Sequence, residues 1–219
     1  MTLLAAIPLL LPGTPVLYNG EEIGMQDNTL ISLDEFKDQL ALWMYRSEIE
    51  IFHTSLSRAY EAAILYGRDK SRTPMQWSQE PNAGFCPRGV RPWLPVNPDY
   101  ILGINVEVQK QVESSPLQLY RQLISLRKKY PALAGGDYQV LLPEHPDCLA
   151  FLRKNAEAAC LVLMNMSDHP LSFQAGELPG NLQCVFSSEF SDKNTPCKDM
   201  VELHPYEVRV FSLSASGIN

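Results

Sequence analysis

Six prolines stand between Tyr66 and Val112, at Pro74, Pro81, Pro87, Pro92, Pro95 and Pro98. Each lacks a backbone N–H and pushes the residue before it out of the α region, so neither a long helix nor a central strand fits between them. A stretch of this length without regular elements is uncommon inside a compact domain, and where it occurs it usually carries function. It opens with GRDKSRTPMQW, Gly67 to Trp77, in which Arg68 and Arg72 lead into Pro74 and a large aromatic, Trp77. The question is what two arginines hold there in an otherwise acidic chain.

The flanks are more regular. MTLLAAIPLLLPGTP reads as a buried helix, Thr2 to Leu11, ended by Pro12-Gly13 and followed by a short buried strand, Pro15 to Tyr18. No Lys or Arg precedes Lys37, so the basic start of a signal peptide is missing, and the apolar run is too short and proline-broken to span a bilayer. Core-type sequence directly after Met1 suggests the back part of something larger. Leu33 to about Leu65 has helical spacing, with a break near His53-Thr54, and places Asp34-Glu35 as an N-terminal charge pair. Ser115-Pro116-Leu117-Gln118 has the form of a capping box opening a helix that Pro131 stops near Tyr130.

After Gly135-Gly136 the texture turns to short β-type runs: Tyr138–Leu142, Cys148–Arg153, Cys160–Asn165, Leu171–Gln174, Leu182–Phe186 and Tyr206–Leu213. Such spacing without intervening helices predicts an antiparallel β-sandwich over residues 134–219, preceded by a domain over 1–133. In that first domain a strand, a connection of nearly a hundred residues and a helix follow one another. This is the unit of a (β/α)8 TIM barrel, whose strand-to-helix loops build the active-site face. A whole barrel takes roughly 250 residues, so residues 1–133 cannot make a complete one. The expected fold class is thus α/β plus all-β.

Composition narrows the partners. The chain has 219 residues, 45% of them hydrophobic, and a formal charge of -7. That balance argues against nucleic acid or an anionic membrane and is compatible with a neutral partner such as a sugar. The five cysteines, Cys86, Cys148, Cys160, Cys184 and Cys197, form no close pair and no CxxC, which suggests scattered free thiols rather than a disulfide framework or a zinc site. Asn165-Met166-Ser167 fits a glycosylation sequon but falls at a strand end, where chance explains it better.

PGTPVLYNGEEIGM, GRDKSRTPMQW, NAGF (Asn82 to Phe85), PWLPVNPDY (Pro92 to Tyr100) and NVEVQ (Asn105 to Gln109) together carry a resemblance. In order and approximate spacing they resemble α-glucosidases of the α-amylase superfamily, glycoside hydrolase family 13, above all the oligo-1,6-glucosidase branch. The resemblance implies a retaining α-glucosidase of carbohydrate metabolism, acting on α-linked glucosides or oligosaccharides; the scattered free thiols suggest the cytoplasm. It also implies an Asp nucleophile, a Glu acid/base and a further Asp, all in motifs preceding the PGTP segment and absent here. No catalytic residue, metal or cofactor is therefore assigned within this chain, which alone is expected to be inactive. Glu21 and Glu22 do not replace the missing pair, because adjacent strand residues point to opposite faces.

The resemblance casts Arg68 as a substrate-binding residue that reaches the glucose, with its partner carboxylate expected outside this chain. Arg72 is read first as a loop-holding salt bridge and second as a sugar contact. Pro74, Met75 and Trp77 are read as packing residues, with Trp77 as a stacking platform the lesser reading. In FKDQLALWMY, Leu40 stands where many relatives carry a Glu near the cleaved bond, and Trp43 where they carry an Asn, so α-1,6 specificity is not inherited. A non-catalytic scaffold resembling transporter heavy chains and a free-standing β-sandwich module are the alternatives. Association through an incomplete barrel face is a further expectation.

Overall fold

The computed structural model describes residues 2–156, 158–174, 178, 182–189 and 200–213. In chain order the helices are α1 (Thr2–Leu10), α2 (Gln39–Glu50), α3 (Leu56–Tyr66), α4 (Val106–Gln109), α5 (Pro116–Lys129) and α6 (Pro131–Gly135). The strands are β1 (Asp137–Leu141), β2 (Cys148–Lys154), β3 (Ala159–Asn165), β4 (Leu171–Gln174), β5 (Leu182–Ser187), β6 (Met200–Leu203) and β7 (Val208–Leu213). The chain folds as two compact units, one of Met1–Leu17 with Gln118–Asn219, the other of Tyr18–Leu117.

The first unit is organised by β3, ACLVLMN, which is buried along its whole length. Alternation sends Cys160, Val162 and Met164 to one face, where they join Ala5, Ala6, Leu9 and Leu10 of α1 and Tyr120, Leu123 and Leu126 of α5. Leu161 and Leu163 face the other way and pack with Leu171, Phe173, Val201 and Leu203 of a second sheet. Burial on both faces is why this strand reads as a continuous apolar run. The first sheet is antiparallel in the order β1-β2-β3-β7-β5, and β4 pairs with β6 in the second. A bulge between Cys184 and Phe186 turns β5 over, so Cys184 packs toward the second sheet and Phe186 toward the helices.

Two guanidinium groups close the C-terminus of α1, where carbonyls have no helical partner and the helix dipole is negative. Arg127 donates from Nη1 to Leu9 O at 2.6 Å and from Nη2 to Gly13 O at 2.6 Å, and Arg153 donates from Nη1 to Leu10 O at 3.0 Å. Arg153 also reaches Gly136 O at 2.9 Å. It is buried, and desolvation lowers its pKa.

The second unit is mostly irregular, and buried carboxamides stand in for a ladder. Gln109 Nε2 donates to Ile23 O at 2.7 Å, Asn105 Nδ2 to Tyr100 O at 2.8 Å, Asn97 Nδ2 to Gln26 O at 3.2 Å and Asn28 Nδ2 to Pro95 O at 3.3 Å. Gln76, with no exposed surface, donates from Nε2 to both Asp99 Oδ1 and Ile104 O at 2.7 Å.

Several sequence expectations are revised. Pro15–Tyr18 forms no strand, because every ladder among the described residues is used within residues 137–213 and none is offered to this segment. Leu33–Glu35 is a 3-10 turn closed by a Ser32–Glu35 capping box, and α2 starts only at Gln39. The helical stretch does break where expected, with His53 at φ 52°. The short β6 escaped detection, its alternation lasting only four residues. Cys148 and Cys160 are free buried thiols whose pKa burial pushes up to about 11; Cys197 lies outside the described residues. Asn165 is fully buried, its amide donating to His169 O and His204 O, which leaves no nitrogen for a glycan.

Met164 and Met166 make an internal control, the first with no exposed surface and the second 42% exposed. Met164→Ala is expected to cost about 2–5 kcal/mol in urea unfolding and Met166→Ala less than about 0.5 kcal/mol.

Candidate functional site

Asp38 caps α2 by accepting from Leu40 N at 3.1 Å. Its carboxylate also accepts from Arg68 three times: from N at 2.8 Å, Nε at 3.0 Å and Nη2 at 3.2 Å. Asp69 completes the arrangement in the opposite direction, accepting from Lys37 N at 2.7 Å and Asp38 N at 2.8 Å. Each of the two carboxylates thus holds the backbone of the other's segment, and the start of α2 is clasped to the GRD turn. Gly67 permits the approach: a Cβ there would lie 2.5 Å from Ala63 O and 2.7 Å from Ala41 Cβ, inside contact distance of both.

The electrostatics follow from burial. The Asp38 side chain is 3% exposed and that of Arg68 is 58% exposed, so a buried carboxylate is paired with a guanidinium reaching solvent. Hydrogen bonds from the Arg68 side chain hold the Asp38 carboxyl far below the usual carboxylate range, outweighing the desolvation that would raise it. The same carboxylate raises the pKa of Arg68. With Nε and one N–H of Nη2 engaged, Nη1 makes no hydrogen bond among the described residues and stays open. Arg68 thus has one carboxylate partner within this chain, Asp38.

Other expected residues fall differently. The Arg72 side chain is exposed and forms no ion pair among the described residues, so it is not a salt-bridge brace. Its backbone does the bracing, Arg72 O accepting from Trp93 Nε1 at 3.0 Å. Pro74 and Met75 are buried, whereas Trp77 is 49% exposed and is not locked in a core. Its main chain carries the packing role instead, bonding Ala83 O and Glu107 N at 2.9 Å. Glu21 and Glu22 lie in a 3-10 turn rather than a strand, and Glu22 Oε2 accepts from Gly20 N at 2.7 Å. Leu40 and Trp43, one turn apart on α2, are 40% and 60% exposed, leaving an apolar surface next to the clasp. Asp38 was the functional residue that sequence reasoning passed over; an Asp directly before a helix-forming run is the signal that could have found it.

Residues 1–136 match the family model for the α-amylase catalytic domain. The chain belongs to the α-amylase family. It is 34% identical over 216 residues to probable oligo-1,6-glucosidase 2 of Bacillus subtilis (strain 168), covering 98% of this chain and 38% of that protein. It is 35% identical over 195 residues to trehalose-6-phosphate hydrolase of Escherichia coli (strain K12), covering 89% of this chain and 34% of that protein. The crystal structure of isomaltulose synthase from Klebsiella sp. LX3 superposes with a TM-score of 0.80 at 30% identity, over 97% of this chain and 38% of that one. The chain thus spans a little over a third of the length of these relatives. No helix among the described residues is long and apolar enough to cross a membrane.

The clasp gives a pH signature. Because the folded-state pKa of Asp38 lies below its unfolded value near 3.9, its stabilisation is complete above about pH 5 and is lost as pH falls below that. Asp38→Asn is expected to lower the melting temperature by roughly 2–8 °C at pH 7, with the gap to the unmodified chain narrowing by pH 2.5. Thermal melts of both chains across that range check it, and a gap independent of pH would contradict the ion pair.

Proposed function

We propose that this chain is the C-terminal portion of a retaining α-glucosidase that hydrolyses α-linked glucosides or oligosaccharides in the cytoplasm. On this reading residues 1–133 complete the catalytic (β/α)8 barrel and residues 134–219 form its β-sandwich. The observation that carries the proposal is Arg68, whose guanidinium is oriented by a buried carboxylate while Nη1 stays open. A fixed fork of donors suits a sugar hydroxyl, which offers oxygen lone pairs and no charge. The family match over residues 1–136 and the two antiparallel sheets beyond it support the domain division.

Chemistry at the anomeric carbon needs two carboxyl groups roughly 5 to 5.5 Å apart for retention. We assign those to residues outside this chain, and give Arg68 the role of binding and orienting the sugar. Arg72, exposed on the same turn, is a second sugar contact in this proposal. Linkage stays open in it, since the similar proteins act under three different names and Leu40 presents hydrocarbon beside the clasp.

The test is hydrolysis of a nitrophenyl α-glucoside by the product of the full gene, beside the 219-residue chain. Turnover is expected from the former alone. Arg68→Ala in the former is expected to lower kcat/KM by roughly 10- to 100-fold, the scale of one charge-assisted hydrogen bond. An inactive gene product would overturn the enzyme reading. The 219-residue chain exposes Leu4 at 73% and Val16 at 85%, and is expected to self-associate in size-exclusion chromatography; a monomer would count against the incomplete barrel face.

A further inference from the structure

Beside the clasp, the second unit contains a cavity of about 540 Å³ whose walls include Glu35, Lys37, Asn82, Arg91, Trp93 and Tyr100. Neither Arg68, Arg72 nor Asp38 lines it. Trp93, with Tyr100 one of the large aromatics among its lining residues, is 56% exposed yet fixed from two sides. Trp93 Nε1 is committed to Arg72 O at 3.0 Å, and the ring meets Phe85 edge-on at 5.0 Å between centroids and 86° between planes. A large aromatic in solvent, already immobilised, can stack on a ligand without further loss of side-chain freedom.

The polar groups around it are neutral in sum or unspent. Arg91 Nη2 is paired with Glu35 Oε1 at 3.2 Å, so that cation and that anion cancel. Asn82 Nδ2 is used on Pro87 O at 3.1 Å and Val90 O at 2.9 Å, which turns its amide orientation into a defined one and leaves Oδ1 as an acceptor. Lys37 Nζ and the Tyr100 hydroxyl donate no hydrogen bond among the described residues. An aromatic face ringed by one open acceptor, one open cationic donor and one hydroxyl matches a pyranose, which has apolar C–H faces and an equator of hydroxyls. A phosphate would meet only one unpaired cation and would face the Glu35 carboxylate.

We propose that this cavity is a second carbohydrate-binding site, holding a glucosyl unit of a neutral α-linked oligosaccharide stacked on Trp93. The proposal rests on the α-glucoside reading for its choice of sugar, but places binding on residues separate from Arg68.

Saturation-transfer NMR on the 219-residue chain with isomaltotriose and maltotriose tests it. Either sugar is expected to bind. Trp93→Ala is expected to weaken binding at least about 10-fold and Lys37→Met about 3-fold. Lys37→Met and Tyr100→Phe remove rim groups that donate no hydrogen bond among the described residues, so a weakened signal in a chain with native circular dichroism reports the site even if Trp93→Ala fails to fold. Absence of binding, binding only by glucose 6-phosphate, or binding indifferent to the Trp93 and rim variants would overturn the proposal. Turnover of the nitrophenyl glucoside by the full gene product is independent of Trp93 stacking, so the enzyme reading survives failure here.

Discussion

A carboxylate buried without a cation is costly, and Asp38 is 7% exposed as a residue. Its position therefore dictates that of Arg68, and through Asp69 the dependence runs back again, since Asp69 holds the N–H groups of Lys37 and Asp38. Neither the start of α2 nor the GRD turn has much regular structure to fix it alone. Each becomes defined by the other, across some thirty residues of chain. The open face of the guanidinium is a consequence: Asp38 takes the side of the fork nearest the interior and leaves the rest in solvent.

The same economy governs the proline-broken connection. Without a sheet to absorb its backbone groups, the segment from Tyr66 to Val112 is pinned by side chains that carry donor and acceptor together. Gln76, Asn97, Asn105 and Gln109 are all buried and each reaches a carbonyl elsewhere in the connection or its flanks. A loop held in this way can place Trp93 and Arg68 with the precision of a regular element, which a chain relying on apolar contact alone could not.

Legibility in the sequence followed the range of the forces involved. The strands from Asp137 to Leu213 were readable because alternation is local: Leu171–Gln174 appears with the bounds its pattern suggests, and β3 announces burial on both faces. The bulge in β5 was not readable, since it depends on where β7 lies beside it. Pro15–Tyr18 had the composition of a strand, but composition does not provide a partner for its N–H groups. At the site, the motif identified Arg68, while its geometry depended on Asp38, thirty residues earlier and visible in sequence only as a helix cap. Arg72 shows the converse error: a charge in a motif invites an ion pair, yet its carbonyl is the group that the fold uses.

The contrast between Asp38 and Leu40 separates support from selectivity within three residues. Asp38 is buried and bonded to four donors, so any replacement strands several groups at once. Leu40 gives only its N–H to the cap and projects 40% exposed, so its side chain is free to change without disturbing the clasp. The electrostatic anchor and a side chain free to change thus stand two residues apart at the start of α2. In the proposed glucosidase, exchanging a carboxylate for leucine at that step removes an acceptor for sugar hydroxyls and adds apolar surface beside Trp43. On that proposal Leu40 favours ligands that meet α2 with a C–H face rather than a hydroxyl.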